Sequence, residues 1–514
     1  MRTTTVITGI GAGLMASLAL QAQEKQSQAP QRPNVIILLA DDIGFGDLSC
    51  NGEKTISTPN VDRLAARGVR FVDAHAVAAT STPSRYSLLT GHYSWRRNDT
   101  GIAAGNAGMI IRPEQQTVAD LFHDCGYVTG AVGKWHLGLG DKTGTQDWNG
   151  FITPGLKDIG FDYSYIMAAT ADRVPCVFVE NQRIVGLDPA DPIEVSYTTP
   201  FPGVPTGKEH PELLYNLQPS QGHDMAIVNG ISRIGYMKGG TSALWKDEEI
   251  ASDITSKAIA FIDNHKNQPF FLYFGTNDIH VPRWPAKQFL GKSGMGLRGD
   301  ALLQFDWTVG QLLDALDKDG IADNTLIILT SDNGPVVDDG YADRAVELLG
   351  HHRPWGPFRG GKYSIFEAGT RIPMIVSWPN GAEKGIVSTA LVSQIDFYAS
   401  FASLLGAQLK GSAAPDSRNY LDAFLGKDAK GRSYVVEAAG ALSVYDGEWK
   451  YIAPSQGPAY SAFTNTELGN NNEPQLFNIK NDINEQQNLA KQYPEIVARL
   501  QALLDKEESA GSVK

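Results

Sequence analysis

Apolar residues gather in short runs rich in β-branched and aromatic types at 35–40, 128–132, 270–274, 325–329 and 372–376. Each run is apolar at consecutive rather than alternate positions, the pattern of strands covered on both faces. Between the runs, apolar residues recur at helical spacing over 59–67, 249–265, 301–316 and 393–405. Strands separated by helices predict an α/β domain, a large and mostly parallel central sheet flanked by helices. A Gly/Ser/Ala/Pro/Asp-rich stretch at 411–417 breaks this rhythm. Beyond it, runs at 434–438, 441–444 and 449–452 read as short antiparallel strands and 494–508 as a closing amphipathic helix. The expected organisation is a leader at 1–22, an α/β domain over 23–410 and a small α+β domain over 411–514, the last with a structural role.

The leader reading rests on Arg2, a mostly apolar stretch over 6–20, and small residues around Ala19 and Ala22 that suit cleavage. A membrane span needs about 20 apolar residues, so the stretch predicts export of a soluble periplasmic or extracellular protein with no integral membrane segment. At 42% hydrophobic and 20% charged residues the chain is globular in composition, which excludes disorder, collagen and coiled coil. The formal charge is −13 and no basic run exceeds two residues, which argues against a nucleic-acid partner. Cys50, Cys125 and Cys176 have no metal-ligand spacing and read as buried small hydrophobes.

The chemistry follows the strands. Asp41 and Asp42 come after the first run, Lys134 and His136 after the second, His280 after the third, and Asp332 and Asn333 after the fourth. In open α/β sheets, ligands bind beyond the carboxyl ends of the strands, so four strands deliver these groups to one rim. Asp41, Asp42, Asp332 and Asn333 offer oxygen only, which suits Ca²⁺ or Mg²⁺ better than zinc. Near them, Thr82 reads as a helix cap, Pro83 as the first helical residue and Gly91 as the stop. Ser81 then lies just before a helix N-terminus, where an anion is favoured, with Arg85 one turn on.

The string Ser81-Thr82-Pro83-Ser84-Arg85, followed by Leu88-Leu89-Thr90-Gly91, resembles the signature of type I sulfatases of the alkaline-phosphatase superfamily, in its serine form. Segments around Asp41–Asp47, Gly133–His136, Asn277–Pro282, Ser331–Gly334 and Arg359–Lys362 match that family's order over residues 34 to about 380. The resemblance implies that Ser81 is oxidised to formylglycine, which in a Ser-type enzyme calls for a radical-type maturase. It implies one Ca²⁺ held by Asp41, Asp42, Asp332, Asn333 and residue 81. The hydrated aldehyde attacks sulfur with one oxygen, and the other expels sulfate by re-forming the carbonyl. Arg85 and His136 are expected to position and deprotonate that diol. Lys134 and Lys362 are expected to bind sulfate oxygens, and His280 to protonate the leaving alcohol.

Polar, charged and aromatic residues in the loops over 140–240 and 335–362 predict a sugar sulfate as substrate. Arg173 and Arg353 are the expected sugar contacts, and Trp284 and Trp355 the expected stacking faces. Similar exported bacterial enzymes act on glycans, so exo-acting removal of sulfate from galactose or N-acetylhexosamine units of mucin-like or glycosaminoglycan chains is expected. His75, although near the signature, is expected only to pack. A phosphatase or phosphodiesterase on the same scaffold, and a non-catalytic glycan-binding homologue, are the alternatives. The first would need more histidines for two zinc ions, and the second should have lost some of Lys134, His136, His280 or Lys362.

Overall fold

Asn34–Ala40 (β1) runs through the middle of the computed structural model, which describes Met1 and residues 32–510. The expected leader, apart from Met1, lies outside the described residues. All of β1 is buried. Burying each Val, Ile or Leu stabilises the fold by about 1.5–3 kcal/mol, so such a run belongs at the centre of a sheet. The other strands of that sheet are Val69–Phe71 (β2), Val128–Lys134 (β3), Tyr163–Met167 (β4), Phe178–Glu180 (β5), Arg183–Ile184 (β6), Phe270–Gly275 (β7), Thr325–Ser331 (β8), Met374–Ser377 (β9) and Ile386–Ser388 (β10). The ten lie in the order β10-β2-β9-β8-β1-β7-β3-β4-β5-β6.

The five central strands, β8 to β4 in that order, are parallel. Toward both edges the pairing becomes antiparallel, through β9 on one side and β5 and β6 on the other. The sheet is therefore mixed, with a parallel centre. The run at 372–376 departs most from expectation. Its strand starts only at Met374 and runs antiparallel, and Pro373 before it has no N–H to offer a ladder.

Helices cover both faces. Successive residues of a strand point to opposite faces. Phe270 packs its ring edge-on against Phe261, whereas Phe271 stacks with Phe122 and meets Phe401. Phe261 belongs to Asp247–His265, which packs with Gly296–Lys318, and that helix with Pro59–Ala66. Phe122 and Phe401 belong to Val118–Asp124 and Phe397–Leu405, which pack together and with Ser81–Thr90. The helix expected over 393–405 opens with one 3-10 turn, Gln394–Asp396.

Four strands, Val435–Ala438 (β11), Leu442–Tyr445 (β12), Trp449–Ile452 (β13) and Gln475–Asn478 (β14), form an antiparallel sheet in that order, on which Pro494–Ala510 packs. The fourth strand is not evident in the sequence pattern. The core of this sheet also takes in Val77, Tyr93, Ile365 and Phe366, and from Asn34 onward the described chain forms one compact unit. Ala79 N donates to Ala438 O at 3.2 Å and Ala438 N to Val77 O at 3.0 Å. Nearby, buried Lys450 Nζ lies 2.9 Å from both Glu367 and Glu437, and Glu437 bonds His75 Nδ1 at 2.7 Å. His75 thus does more than pack. It bridges Asp73 and Glu437 within a buried charge network, and those carboxylates outweigh burial to raise its pKa. All three cysteines are free.

Candidate active site

Strand register assembles the floor of the site. Ala40 is level with Ser331, Leu39 with Gly275, and Gly275 with Gly133. Asp41 and Asp332 therefore leave the sheet side by side, with Lys134 at the end of the strand beyond β7. Gly133 is required there. Its φ is +92°, and a Cβ would stand 1.9 Å from Gly275 O.

The helix Ser81–Thr90 starts earlier than its sequence suggests. Thr80, extended, is the cap residue, Ser81 is the first helical residue, and Pro83 falls within the first turn, where an absent N–H costs nothing. Gly91 ends the helix in the left-handed region, as expected. Ser81 Oγ donates to Asp332 Oδ2 and lies 3.4 Å from Asp41 Oδ1. Lys134 Nζ donates to Ser81 Oγ at 2.8 Å and to both Asp41 oxygens at 2.6 and 2.7 Å. Arg85 reaches Ser81 chiefly through Asp332, whose Oδ2 accepts from Nε at 3.1 Å and Nη2 at 2.9 Å, and more distantly through Asp41 at 3.8 Å. Its Nη1 donates to Tyr273 OH and Lys134 O.

On the other side, Lys362 Nζ donates to Asp42 Oδ2 at 2.9 Å and Asp339 Oδ2 at 3.2 Å. His280 Nδ1 donates to Val281 O at 2.7 Å, which leaves Nε2 facing Asp42 Oδ2 at 4.0 Å. His136 Nε2 donates to Ala103 O at 2.9 Å, so its Nδ1 is an acceptor, buried and without a partner. Asp42, His136 and Tyr363 all adopt left-handed backbone, with φ of 59°, 60° and 75°. Such conformations cost on the order of 1–3 kcal/mol each and cluster where surrounding packing holds a functional side chain in place.

Burial dominates the electrostatics. It raises the Asp41 carboxyl to about 7 despite Lys134. For Asp42 the positive charges of Lys362 and Lys134 outweigh burial and lower the pKa, and Arg85 and Lys134 do the same for Asp332. Burial, reinforced by Lys134, holds His136 well below the ordinary imidazole range, and burial with Lys362 and Lys134 does so for His280. Both shifts favour the neutral imidazole. Lys362 moves the other way, because Asp339 and Asp42 outweigh its burial.

Three carboxylates in one buried cluster want a cation, and the donors fit a hard divalent ion. Asn333 Nδ2 is committed to Asp42 Oδ1 at 2.8 Å and Gly334 O at 2.9 Å, which leaves its buried Oδ1 with no partner. Asp41, Asp42 and His280 bring one donor atom each within 4.8 Å of one another. The residues that would hold the ion are Asp41, Asp42, Asp332 and Asn333, beside Ser81.

Above this floor is a cavity of about 140 Å³ whose lining includes Ser81, His136, His280 and Lys362. Arg173 also lines it, with Nη1 on both oxygens of Asp172 at 2.8 and 2.9 Å, and His223 Nε2 bonds Asp172 Oδ2 at 3.1 Å. Arg353 does not join this group. It is exposed and lines, with Trp355, a separate cavity of about 450 Å³. Trp284 packs beside Val281 and Leu297, outside the catalytic cavity. Sequence reasoning missed Asp339, Tyr273, Tyr363 and Phe463. Only Asp339 left a signal, an acidic pair before Gly340 shortly after β8.

A family model described as Sulfatase matches residues 33–407. The chain is 54% identical to the N-acetylgalactosamine-6-O-sulfatase of Bacteroides thetaiotaomicron, over 96% of this chain and 97% of that one. It is 30% identical to arylsulfatase A of Homo sapiens, over 92% of this chain and 87% of the relative. A solved structure from work on glycosaminoglycan metabolism by Bacteroides thetaiotaomicron superposes with a TM-score of 0.92 at 55% identity, covering 93% of this chain and 100% of the other. The signature helix and the strand-end residues lie within the matched span. By that match and by its likeness to these relatives along nearly its whole length, the chain belongs to the sulfatase family.

Proposed function

We propose that this sulfatase removes the 6-O-sulfate from terminal N-acetylgalactosamine units of sulfated host glycans, such as glycosaminoglycans. The observation that carries the reading is the small cavity with Ser81 on its floor and Asp172, Arg173 and His223 on its wall. A cavity of this size suits one terminal unit rather than the middle of a polymer, and charged hydrogen-bonding groups suit hydroxyl-rich sugar. The 54% identity to an N-acetylgalactosamine-6-O-sulfatase supports the sugar and the position. The proposal includes export, which the leader character of the first residues supports; among the described residues no helix is long and apolar enough to cross a membrane.

Residue 81 acts as nucleophile after oxidation to formylglycine by a radical-type maturase, and addition of one water to that aldehyde gives the paired oxygens for attack and release. A bound Ca²⁺ would supply Lewis-acid polarisation and charge neutralisation there. The chain's own groups do the rest. Lys134, 2.8 Å from Ser81 Oγ, and Lys362 hold sulfate oxygens and offset their charge. Arg85 fixes Asp332 and through it residue 81. His136 Nδ1, an acceptor by virtue of the Ala103 bond, takes the proton of the attacking hydroxyl. His280 protonates the leaving alcohol at Nε2. Burial, with the charges of Lys362 and Lys134, disfavours a proton on that ring in the free enzyme, and an arriving sulfate offsets the two lysine charges.

The test is sulfate release from a panel of 2-, 3-, 4- and 6-O-sulfated galactose and N-acetylhexosamines, with conversion of residue 81 verified by intact mass. Release from 6-O-sulfated N-acetylgalactosamine alone, abolished in Ser81→Ala, is expected. Preference for another position or sugar with residue 81 converted would overturn the substrate assignment.

A further inference from the structure

We infer that the cavity beside the catalytic one is a second sugar subsite, which binds an acidic pyranose next to the sulfated terminal unit. This rests on the reading of the chain as a carbohydrate sulfatase. Three segments separate the two cavities, and in each of them neighbouring residues face opposite ways. Asp339, Lys362 and Phe463 line the catalytic cavity, while Asp338, Gly361 and Thr464 line the other. The two therefore lie back to back across a wall one backbone thick. A glycan whose end is in the first continues past half-buried Phe463 and exposed Asn465, which lines the second.

The chemistry of the second cavity is that of sugar recognition. A pyranose presents C–H faces and a hydroxyl rim, and it is bound where an aromatic face adjoins groups that both donate and accept. Trp355 is half-buried and lines the cavity, which also carries the exposed carboxamides of Asn484 and Gln486. The charge in it is specific as well. Arg359 is committed to Glu467, with bonds of 2.7 and 3.0 Å, and lies over the Phe366 ring. Arg353 is exposed and pairs with no carboxylate among the described residues. The cavity's other uncompensated charge, Asp338, comes from the wall shared with the first cavity, so Arg353 is the one cation available to a ligand there among the described residues. An anionic substituent on the second sugar, carboxylate or sulfate, is its natural partner.

The experiment compares kcat/KM for four substrates with residue 81 converted: the sulfated monosaccharide, and disaccharides that carry the same terminal unit joined to a neutral hexose, a hexuronic acid or a sulfated hexose. The expected order is acidic disaccharides above neutral above monosaccharide, with roughly tenfold or more between the extremes, as for one charge-assisted contact. Arg353→Ala should erase the acidic-over-neutral ratio, and the uronate and sulfate arms show which anion fits. Trp355→Ala should reduce the disaccharide-over-monosaccharide ratio. Because Trp355 also packs near Phe358, Gln486→Ala provides a surface variant expected to act in the same direction. Equal kcat/KM for all substrates in the wild type, or ratios unmoved by Arg353→Ala, would overturn the subsite. If no substrate turns over, the reaction reading fails and the subsite is judged by calorimetry on Ser81→Ala protein. There, tenfold weaker binding of the acidic disaccharide on adding Arg353→Ala upholds the subsite, and equal binding overturns it.

Discussion

The candidate site has two walls of different construction, one beneath Ser81 and one around the cavity above it. One is made of strand ends and a helix start, and its Asp41, Lys134, Arg85 and Asp332 are wholly buried and bonded to one another. The other is irregular chain, with Arg173 and His223 gathered on Asp172 and Phe463 stacked on the His223 ring. The first wall cannot change without disturbing sheet register, and the second can change loop by loop. The groups proposed for the reaction and those proposed for substrate choice thus belong to separate parts of the molecule, and experiments can pull them apart.

Removal of divalent ions should have the largest effect. Exhaustive chelation is expected to reduce activity on every substrate to background, and Ca²⁺ but not Zn²⁺ should restore it. Recovery with zinc alone would break the oxygen-donor assignment of the first wall. Next comes Lys134→Ala, expected to lower kcat by roughly 10²–10³ on every sulfate ester, as for loss of a preorganised group at the developing charge. Arg173→Ala should cost roughly 10–100-fold in kcat/KM on the sugar sulfate, the scale of one charge-assisted hydrogen bond, yet far less on a small aryl sulfate. Equal losses on both would mean that the second wall serves the reaction itself.

The smallest effect lies away from both walls. Burial raises the Glu485 carboxyl to about 8. Across the interval from its ordinary value up to about 8 the unfolded chain has released this proton while the folded chain retains it, so stability falls as pH rises through that window. Glu485→Gln should therefore leave Tm unchanged at low pH and raise it by roughly 2–4 °C near pH 8. Although its neighbours Asn484 and Gln486 line the second cavity, the Glu485 side chain is wholly buried and accepts from Glu367 N, so the isosteric Gln should leave kcat unchanged and serve as the control for the other three.

The first wall was legible in the sequence because its logic is local. A run apolar at every position is a central strand, and polar residues directly after it must lie at the sheet's rim. That argument found Asp41, Lys134, His136, His280 and Asp332 without any knowledge of packing. The second wall was half legible. Arg173 stood out as a loop arginine, but nothing in the chain tells that Arg353, equally conspicuous, faces a different cavity. Phe463 comes from the C-terminal part, and its approach to His223 depends on long-range docking that no periodicity encodes. The role of His75 was hidden for the same reason, since its partner Glu437 follows far along the chain. The helix start at Ser81 was misjudged by two residues because Pro83 and Thr82 are each suited to an earlier position than they occupy.

The hydrogen bonds between Val77–Ala79 and Ala438 set an order of events during synthesis. The segment that leads into residue 81 has no finished partner until the late antiparallel sheet has left the ribosome, and Glu367, already paired with Arg371, gains its second cation only when Lys450 follows. A buried charge cluster closes only when all its members exist. In the finished protein Ser81 is 3% exposed, beyond the reach of another enzyme. A change made to its side chain by another enzyme therefore belongs before that closure, so the last part of the chain to be made sets when residue 81 is sealed.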